Sequence, residues 1–315
     1  MDKQFFPDRA TEIKFFIILV LVLSVFLTLS FVFGSKLQRG DSSVPSEAAY
    51  HLFPEVTLGA KAVYVYDVRT QTVLFAKNEN ARLPLASLTK VMSALVAQDN
   101  SPMYGTITVS DEALRAEGDS GLYRDERWTL KDLVDFSLIT SSNDGIRAMA
   151  LTIGALSQAD ATPIEIINDF VGKMNLRANE LGLKDTYFWN ETGLDESDEK
   201  GGAYGTASDM SVLVEYVLKN YPDLLSATRD ASAAFSSLDN RNHLARNTND
   251  IVGEIPGLLI SKTGFTDTAG GNLVIVFDPE IGRPIIISIL GSTEEGRFVD
   301  ARVLVGAVLE YLNNN

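Results

Sequence analysis

The chain is organised around the stretch Pro84-Leu85-Ala86-Ser87-Leu88-Thr89-Lys90-Val91-Met92-Ser93-Ala94-Leu95-Val96. From Ser87 onward the apolar residues recur at helical spacing, which predicts a helix with a buried face. Because Ser87 and Lys90 are three positions apart, a helix brings their hydroxyl and amine onto one face, where they can act as a nucleophile and its base. Alone, the pattern favours an ordinary core helix, since Ser197-Asp198-Glu199-Lys200 fits the same spacing in a polar loop.

Composition restricts the classes of function open to the chain. Its 315 residues carry a formal net charge of −15, which argues against a nucleic-acid partner and against docking on anionic lipid. The sequence has no cysteine, which excludes disulfides, a thiolate nucleophile and a thiolate metal site. Its two histidines, His51 and His243, lie far apart in unlike surroundings, so a Ser-His-Asp triad or a histidine metal site has little to be built from. We expect no metal and no cofactor.

The N-terminal part predicts a membrane anchor. Phe15 to Phe33 is an uncharged apolar run of 19 residues, long enough to cross a bilayer of about 30 Å at about 1.5 Å per residue. An uncleaved anchor is favoured over a signal peptide, because the leader is mixed in charge and no Ala-x-Ala site follows closely. The expected organisation is a short cytoplasmic tail over 1–14, a transmembrane anchor over 15–34, a linker over 35–54 and the main domain over 55–315.

Strands at both ends of the main domain, with helices between them, predict an α+β fold. Two β-rich runs around a polar turn, Ala62–Asp67 and Thr72–Ala76, indicate a hairpin. Capping boxes that begin at Thr129 and Thr162 open helices of a central helical block. The C-terminal part is strand-like over 257–266, 272–277 and 284–290 and ends with a helix over 297–312. We expect the hairpin and the C-terminal strands to share one mostly antiparallel sheet.

Two further motifs accompany the first. Ser141-Ser142-Asn143 stands at a break between helices, where short polar side chains can cap a helix or point into a cleft. Lys262-Thr263-Gly264 lies in a strand-like run in which Lys262 and Gly264 share a face, and Gly264 leaves room for an approaching backbone. Each match alone is compatible with a structural role. In the order Ser-x-x-Lys, Ser-x-Asn, Lys-Thr-Gly the three are much more specific together.

With these motifs the sequence resembles the penicillin-recognising serine enzymes, and among them the low-molecular-mass D-alanyl-D-alanine carboxypeptidases. The resemblance covers roughly Lys61 to Leu312 and includes Asn190-Glu191-Thr192-Gly193-Leu194. One departure is Ser142, at a position that is commonly Gly in the family. The resemblance implies a β-lactamase/transpeptidase-like fold, peptidoglycan stem peptides as substrates and β-lactams as covalent inhibitors.

The resemblance also implies a role for each motif residue. Ser87 would attack the carbonyl of the penultimate D-alanine and form an acyl-enzyme, while Lys90 would take its proton. Ser141 would relay a proton toward the leaving amine, and Asn143 would hold Lys90 and the substrate amide. Lys262 would supply positive potential. Thr263 and Arg297 would bind the terminal carboxylate, and the backbone N–H groups of Ser87 and Phe265 would form the oxyanion hole. The substrate backbone would lie along the strand that contains Lys262 and Gly264.

The function expected is that of a membrane-anchored serine carboxypeptidase whose catalytic domain lies outside the cytoplasm. A D,D-endopeptidase with the same residues and a catalytically silent wall-binding protein are the alternatives, and the three intact motifs argue against the second. A β-lactamase is disfavoured because the helical block has no clear Glu-x-x-x-Asn segment. The sequence leaves the stem-peptide chemistry and the oligomeric state open. We expect Lys90 to be neutral at rest, and Lys262 to keep its charge if it lies nearer the exposed strand edge.

Overall fold

The structure, a computed structural model, describes residues 52–156 and 160–315. In chain order its strands are β1 (Ala62–Asp67), β2 (Thr72–Lys77), β3 (Leu83–Pro84), β4 (Thr106–Thr108), β5 (Arg127–Thr129), β6 (Tyr187–Phe188), β7 (Ala203–Gly205), β8 (Ser232–Ser236), β9 (Asn242–Arg246), β10 (Leu258–Thr266), β11 (Gly270–Phe277) and β12 (Ile285–Ser292). Its α-helices are α1 (Thr89–Asn100), α2 (Leu130–Thr140), α3 (Asn143–Ala155), α4 (Pro163–Glu180), α5 (Ala207–Asn220) and α6 (Gly296–Asn314). Short 3₁₀ turns occupy Ala86–Leu88, Ala113–Arg115, Ser226–Arg229 and Val252–Glu254.

A five-stranded antiparallel sheet joins the two ends of the described region, in the order β10-β11-β12-β1-β2. β1 pairs with β12 from Ala62 opposite Leu290 to Asp67 opposite Ile285. All eight residues of β12 are buried, because helices cover both faces of the sheet. The predicted α+β fold is confirmed.

Two apolar cores lie on opposite faces of the sheet. On one face, alternate residues such as Val63 and Ile287 pack against Leu304 and Val308 of α6. On the other face the core extends into the helical block, where α1 is the central helix. Nine consecutive residues, from Thr89 to Ala97, are buried there. A helix that is enclosed on all sides buries its polar residues together with its apolar ones.

Some elements differ from the sequence-based prediction. The hairpin formed by β8 and β9 was not predicted. The tail, the anchor over 15–34 and most of the linker lie outside the described residues. Within 52–156 and 160–315, no helix is both long and apolar enough to cross a membrane.

Candidate active site

Ser87 lies in the 3₁₀ turn that immediately precedes α1. Two features hold this turn in place: the N–H of Leu85 donates to Ala203 O at 2.9 Å, and Pro84 in β3 pairs with Tyr204 in β7. Ala86 adopts a φ of 47°, in the left-handed region that residues with a side chain seldom occupy. The half-buried Ser87 hydroxyl is therefore presented by a constrained turn at the start of the central helix.

Lys90 is completely buried one turn after Ser87. Its Nζ donates to Ser87 Oγ at 2.7 Å and to the carbonyl oxygen of Thr192 at 2.8 Å. Burial lowers the pKa of Lys90 to about 7, while the negative charge of Glu191 acts in the opposite direction. A substantial fraction of this amine is therefore neutral near pH 7, and a neutral amine at this distance can accept the hydroxyl proton.

The Thr192 carbonyl belongs to the loop from Asn190 to Leu194, which sequence analysis noted without assigning it a role. Asn190 Oδ1 accepts hydrogen bonds from the N–H groups of Thr192 and Gly193, at 3.2 and 2.7 Å. Gly193 has a φ of 83°, and a Cβ there would lie 1.9 Å from Ala86 O. The spacing of Asn190 and Gly193 was the available signal for a tight turn, and only glycine allows it to pack against the nucleophile's turn.

Ser141 and Ser142 have separate roles at the junction of α2 and α3. Ser141 ends α2 in the left-handed conformation, with a φ of 59°, and its Oγ accepts a hydrogen bond from Lys262 Nζ at 3.0 Å. Ser142 caps α3 by accepting from the N–H of Gly145 at 2.9 Å. Because the Ser142 hydroxyl is buried in this cap, the departure from the family's glycine does not crowd the cleft.

Asn143 does not make the contact with Lys90 that was expected of it. Its Nδ2 donates to the carbonyl of Glu117 at 2.7 Å, and its buried Oδ1 has no hydrogen-bond partner within the described residues. The hydrogen bonds of Lys90 go to Ser87 and Thr192 instead. Asn143 therefore lies at the site with an acceptor oxygen that is still available for a bond.

Lys262 does not meet the condition under which it was expected to keep its charge, a position nearer the exposed strand edge. Its exposed fraction is only 2%, and its Nζ donates to Ser141 Oγ and to Thr263 O. Burial, followed by repulsion from Lys90 and Arg297, lowers its pKa well below the ordinary value. β10 is an edge strand, but the 3₁₀ turn 226–229 covers that edge.

The residues that follow Lys262 lie directly against the nucleophile's turn. A Cβ on Gly264 would lie 2.9 Å from Leu85 O and 3.2 Å from the nitrogen of Ser87. The absence of a side chain at Gly264 thus makes room for the backbone of the turn that carries Ser87, which belongs to the protein itself. Phe265, the next residue, is 41% exposed and borders a cavity of about 490 Å³.

Thr263 and Arg297 complete this side of the site. The Thr263 hydroxyl lies 2.5 Å from the hydroxyl of Thr248, a residue that sequence analysis missed. Arg297, at the start of α6, is buried, and its Nη1 donates to Gly264 O at 2.9 Å. Burial lowers its pKa, with nearby acidic residues acting in the opposite direction. Lys90, Lys262 and Arg297 thus concentrate basic groups at one place in a chain of net charge −15, an arrangement suited to an anionic ligand.

No group of three or more side chains suited to hold a metal ion occurs within the described part of the chain. The arrangement is that of a nucleophilic serine with a buried amine as its base.

Comparisons with known proteins are consistent with this arrangement. Residues 48–293 match the family described as D-alanyl-D-alanine carboxypeptidase. Over 242 residues the chain is 32% identical to D-alanyl-D-alanine carboxypeptidase DacF of Bacillus subtilis, which covers 75% of this chain and 56% of that protein. It is 30% identical over 238 residues to D-alanyl-D-alanine carboxypeptidase DacB2 of Mycobacterium tuberculosis, covering 75% of this chain and 77% of that one. The chain thus spans little more than half of the Bacillus relative.

A solved structure with a similar fold is that of penicillin-binding protein D2 from Listeria monocytogenes in its ampicillin-bound form. The two chains are 29% identical, with a TM-score of 0.66, and the match covers 81% of this chain and 99% of that one. The similarity extends through nearly all of the described region.

Proposed function

The chain belongs to the D-alanyl-D-alanine carboxypeptidase family, and on that premise we propose that it removes the terminal D-alanine from peptidoglycan stem peptides through an acyl-enzyme on Ser87. One observation carries the proposal: the completely buried amine of Lys90 lies 2.7 Å from Ser87 Oγ. Burial keeps much of this amine neutral near pH 7. An exposed lysine, with a pKa of about 10.4, would be almost fully charged at that pH. The site therefore has a nucleophile with a competent base.

Substrate binding begins with the terminal carboxylate. Lys262 and Arg297 provide the positive potential, and the hydroxyl of Thr263 is a hydrogen-bond donor beside them. A carboxylate that arrives here compensates for the burial of the two cationic groups. The remainder of the peptide extends along β10 toward Phe265 and its neighbouring cavity.

Acylation then replaces one covalent bond of the carbonyl carbon by another, with proton transfers at Ser87 and at the leaving amine. The Ser87 hydroxyl gives its proton to Lys90 Nζ while Oγ bonds to the carbonyl carbon, and the bond from that carbon to the nitrogen of the terminal D-alanine breaks. Ser141 can protonate the leaving amine and recover a proton from Lys262, whose Nζ lies 3.0 Å from Ser141 Oγ. Water then hydrolyses the acyl-enzyme: its oxygen bonds to the carbonyl carbon as the bond to Ser87 Oγ breaks, and one of its protons goes to Oγ. Exchange with solvent takes the proton from Lys90 and returns one to Lys262, which restores both amines.

Labelling with a fluorescent penicillin tests this proposal, because a β-lactam offers an amide carbonyl and a nearby carboxylate like those of the natural terminus. We expect label on Ser87 in the wild-type protein and none in Ser87→Ala. Ser197→Ala is the matched control, since Ser197 and Lys200 repeat the Ser-x-x-Lys spacing in an exposed loop. Label that persists in Ser87→Ala, or that maps to Ser141, would contradict the proposal.

Release of D-alanine from a pentapeptide, compared with cleavage of a cross-linked dimer, separates carboxypeptidase from endopeptidase activity.

We further propose that the catalytic domain lies outside the cytoplasm on a single N-terminal anchor. The uncharged apolar run from Phe15 to Phe33 and a substrate in the cell wall support this orientation. Protease added to intact spheroplasts should digest the catalytic domain, whereas a cytoplasmic marker protein should survive. A catalytic domain that is protected until the membrane is permeabilised would exclude this orientation.

A further inference from the structure

A buried ion pair lies behind the general base. Glu191 precedes Thr192, whose carbonyl binds Lys90, and the Glu191 side chain has no exposed surface. Its Oε1 accepts a hydrogen bond from Arg147 Nε in α3 at 2.8 Å, while its Oε2 is buried without a hydrogen-bond partner within the described residues. A buried carboxylate with one unbonded oxygen is costly to fold. Stability alone therefore gives no reason to place one here.

The pair connects the Asn190–Leu194 loop to two helices. The backbone carbonyl of Glu191 accepts from Ser93 Oγ at 2.6 Å, and the next carbonyl, that of Thr192, accepts from Lys90. Lys90 and Ser93 are one turn apart on α1, so the loop is attached to α1 at two successive positions. Arg147 attaches the same loop to α3. The loop that supplies the Thr192 carbonyl is thus fixed from both sides.

The charges around Lys90 come from several elements. Lys262 approaches from β10 and Arg297 from α6, and α3 carries Arg147 together with Asp144, whose carboxylate accepts from the N–H of Ser120. The helices α4 and α5 contribute apolar side chains to the core around α1. Glu191 is the acidic group whose charge favours the protonated form of Lys90.

The two partners of the Glu191–Arg147 ion pair differ in their exposure to solvent. The side chain of Arg147 is 27% exposed, whereas that of Glu191 is fully buried. Solvent therefore screens the guanidinium more than the carboxylate, and the pair acts on its buried side as a negative charge. Arg147 also supplies the cation that a buried carboxylate needs as its partner.

We propose, on the premise of the acyl-enzyme mechanism above, that the Glu191–Arg147 pair is a positioning device for the base, which holds the Thr192 carbonyl against Lys90 and sets the pH range over which Ser87 is acylated. Neither residue touches the substrate or the reacting atoms. Glu191 acts through Lys90, and Arg147 acts through Glu191.

The test is the rate of acylation by a chromogenic penicillin, measured from pH 5 to 9. Glu191→Gln keeps an acceptor for Arg147 but removes the charge, so the midpoint of the pH profile should move down by about one unit, the effect of one charge close to a buried amine. Glu191→Asp keeps the charge and should leave the midpoint near that of the wild type. The double variant Glu191→Gln with Arg147→Gln removes both charges and should show a smaller shift in the same downward direction. It provides the measurement if the single variant folds poorly.

Asp67→Asn is the matched control, because Asp67 is also a fully buried carboxylate that pairs with an arginine, Arg283, at 2.8 Å. Asp67 lies at the end of β1, and two strands lie between β1 and β10 in the sheet. Loss of the Asp67 charge should therefore lower stability without moving the midpoint of the acylation pH profile. A midpoint in folded Glu191→Gln or in the double variant that equals that of Asp67→Asn would overturn the inference. A wild-type protein that is not acylated on Ser87 would instead overturn the proposed function.

Discussion

Replacing Lys90 by arginine tests the central step of the mechanism, because it keeps the positive charge and removes the ability to accept a proton. With a pKa of about 7, roughly half of the Lys90 amines are neutral at pH 7. A guanidinium with a pKa above about 12 has a neutral fraction on the order of 10⁻⁵ or less at that pH. General-base catalysis contributes about 10²- to 10⁴-fold, so we expect Lys90→Arg to lose about that much of the acylation rate at pH 7.

The wild-type pH profile gives an independent measure of the same quantity. The neutral fraction of a group with a pKa of about 7 rises from about one tenth at pH 6 to about nine tenths at pH 8. The acylation rate should therefore increase about tenfold between these values and then level off. A lysine with an ordinary pKa would instead produce a rise of about a hundredfold with no plateau.

The assay is stopped-flow acylation by a chromogenic penicillin, with unfolding by denaturant as the check on folding. Lys77→Arg is the matched control: Lys77 Nζ also donates two hydrogen bonds, to the backbone carbonyls of Leu58 and Ala60 at 3.0 and 2.7 Å, and has no part in the site. A folded Lys90→Arg variant that acylates within a few-fold of the wild-type rate would refute the assignment of Lys90 as the base. A wild-type rate that does not change between pH 6 and 8 would do the same.

Four other substitutions distinguish residues that act in the chemistry from residues that stabilise the fold. Lys262→Met should weaken binding of the substrate carboxylate and move the acylation midpoint to higher pH, since it removes the cation that a bound carboxylate favours and that lowers the pKa of Lys90 in the complex; an unchanged profile would show that the two amines are not coupled. Gly193→Ala should lower the free energy of unfolding by about 2–4 kcal/mol, because its Cβ would lie 1.9 Å from Ala86 O at a positive φ. Gly172→Ala, in the middle of α4 with open space around it, should instead raise stability by about 0.5–1 kcal/mol in the same denaturant titration. Ser142→Ala should cost about 1 kcal/mol through the lost cap of α3 yet leave acylation within a few-fold of wild type, a result that loss of activity would contradict.

Local patterns in the sequence were sufficient to predict the α+β fold and the candidate nucleophile. Helical spacing placed Ser87 next to Lys90, and the capping signals at Thr129 and Thr162 located α2 and α4, where both threonines cap as expected. These features depend on residues within a few positions of one another, so a single sequence contains the information. The strand runs were recognisable for the same reason, although their pairing was an inference from fold class.

Features that depend on distant packing were not predictable in the same way. Glu191 is part of an acidic, glycine-containing loop, a composition typical of a solvated segment. It is nevertheless buried, and its partner Arg147 lies 44 residues earlier in the sequence. Lys262 lies on an edge strand but is enclosed, because Ser141 at the end of α2 reaches it across 121 positions. Periodicity gives the face of a strand on which a side chain lies, but not which other element covers that face.

The enclosure of both lysines links recognition of the substrate to activation of the nucleophile. In the free site, burial disfavours the charged form of each amine, and the charge of Lys90 further disfavours that of Lys262, so at neutral pH the pair holds fewer than two protons. A carboxylate that binds beside Thr263 compensates for the burial of Lys262 and favours its charged form. Repulsion from that charge then favours the neutral form of Lys90, the form that can accept the proton of Ser87. A substrate with a free terminal carboxylate therefore prepares the base that acts on it.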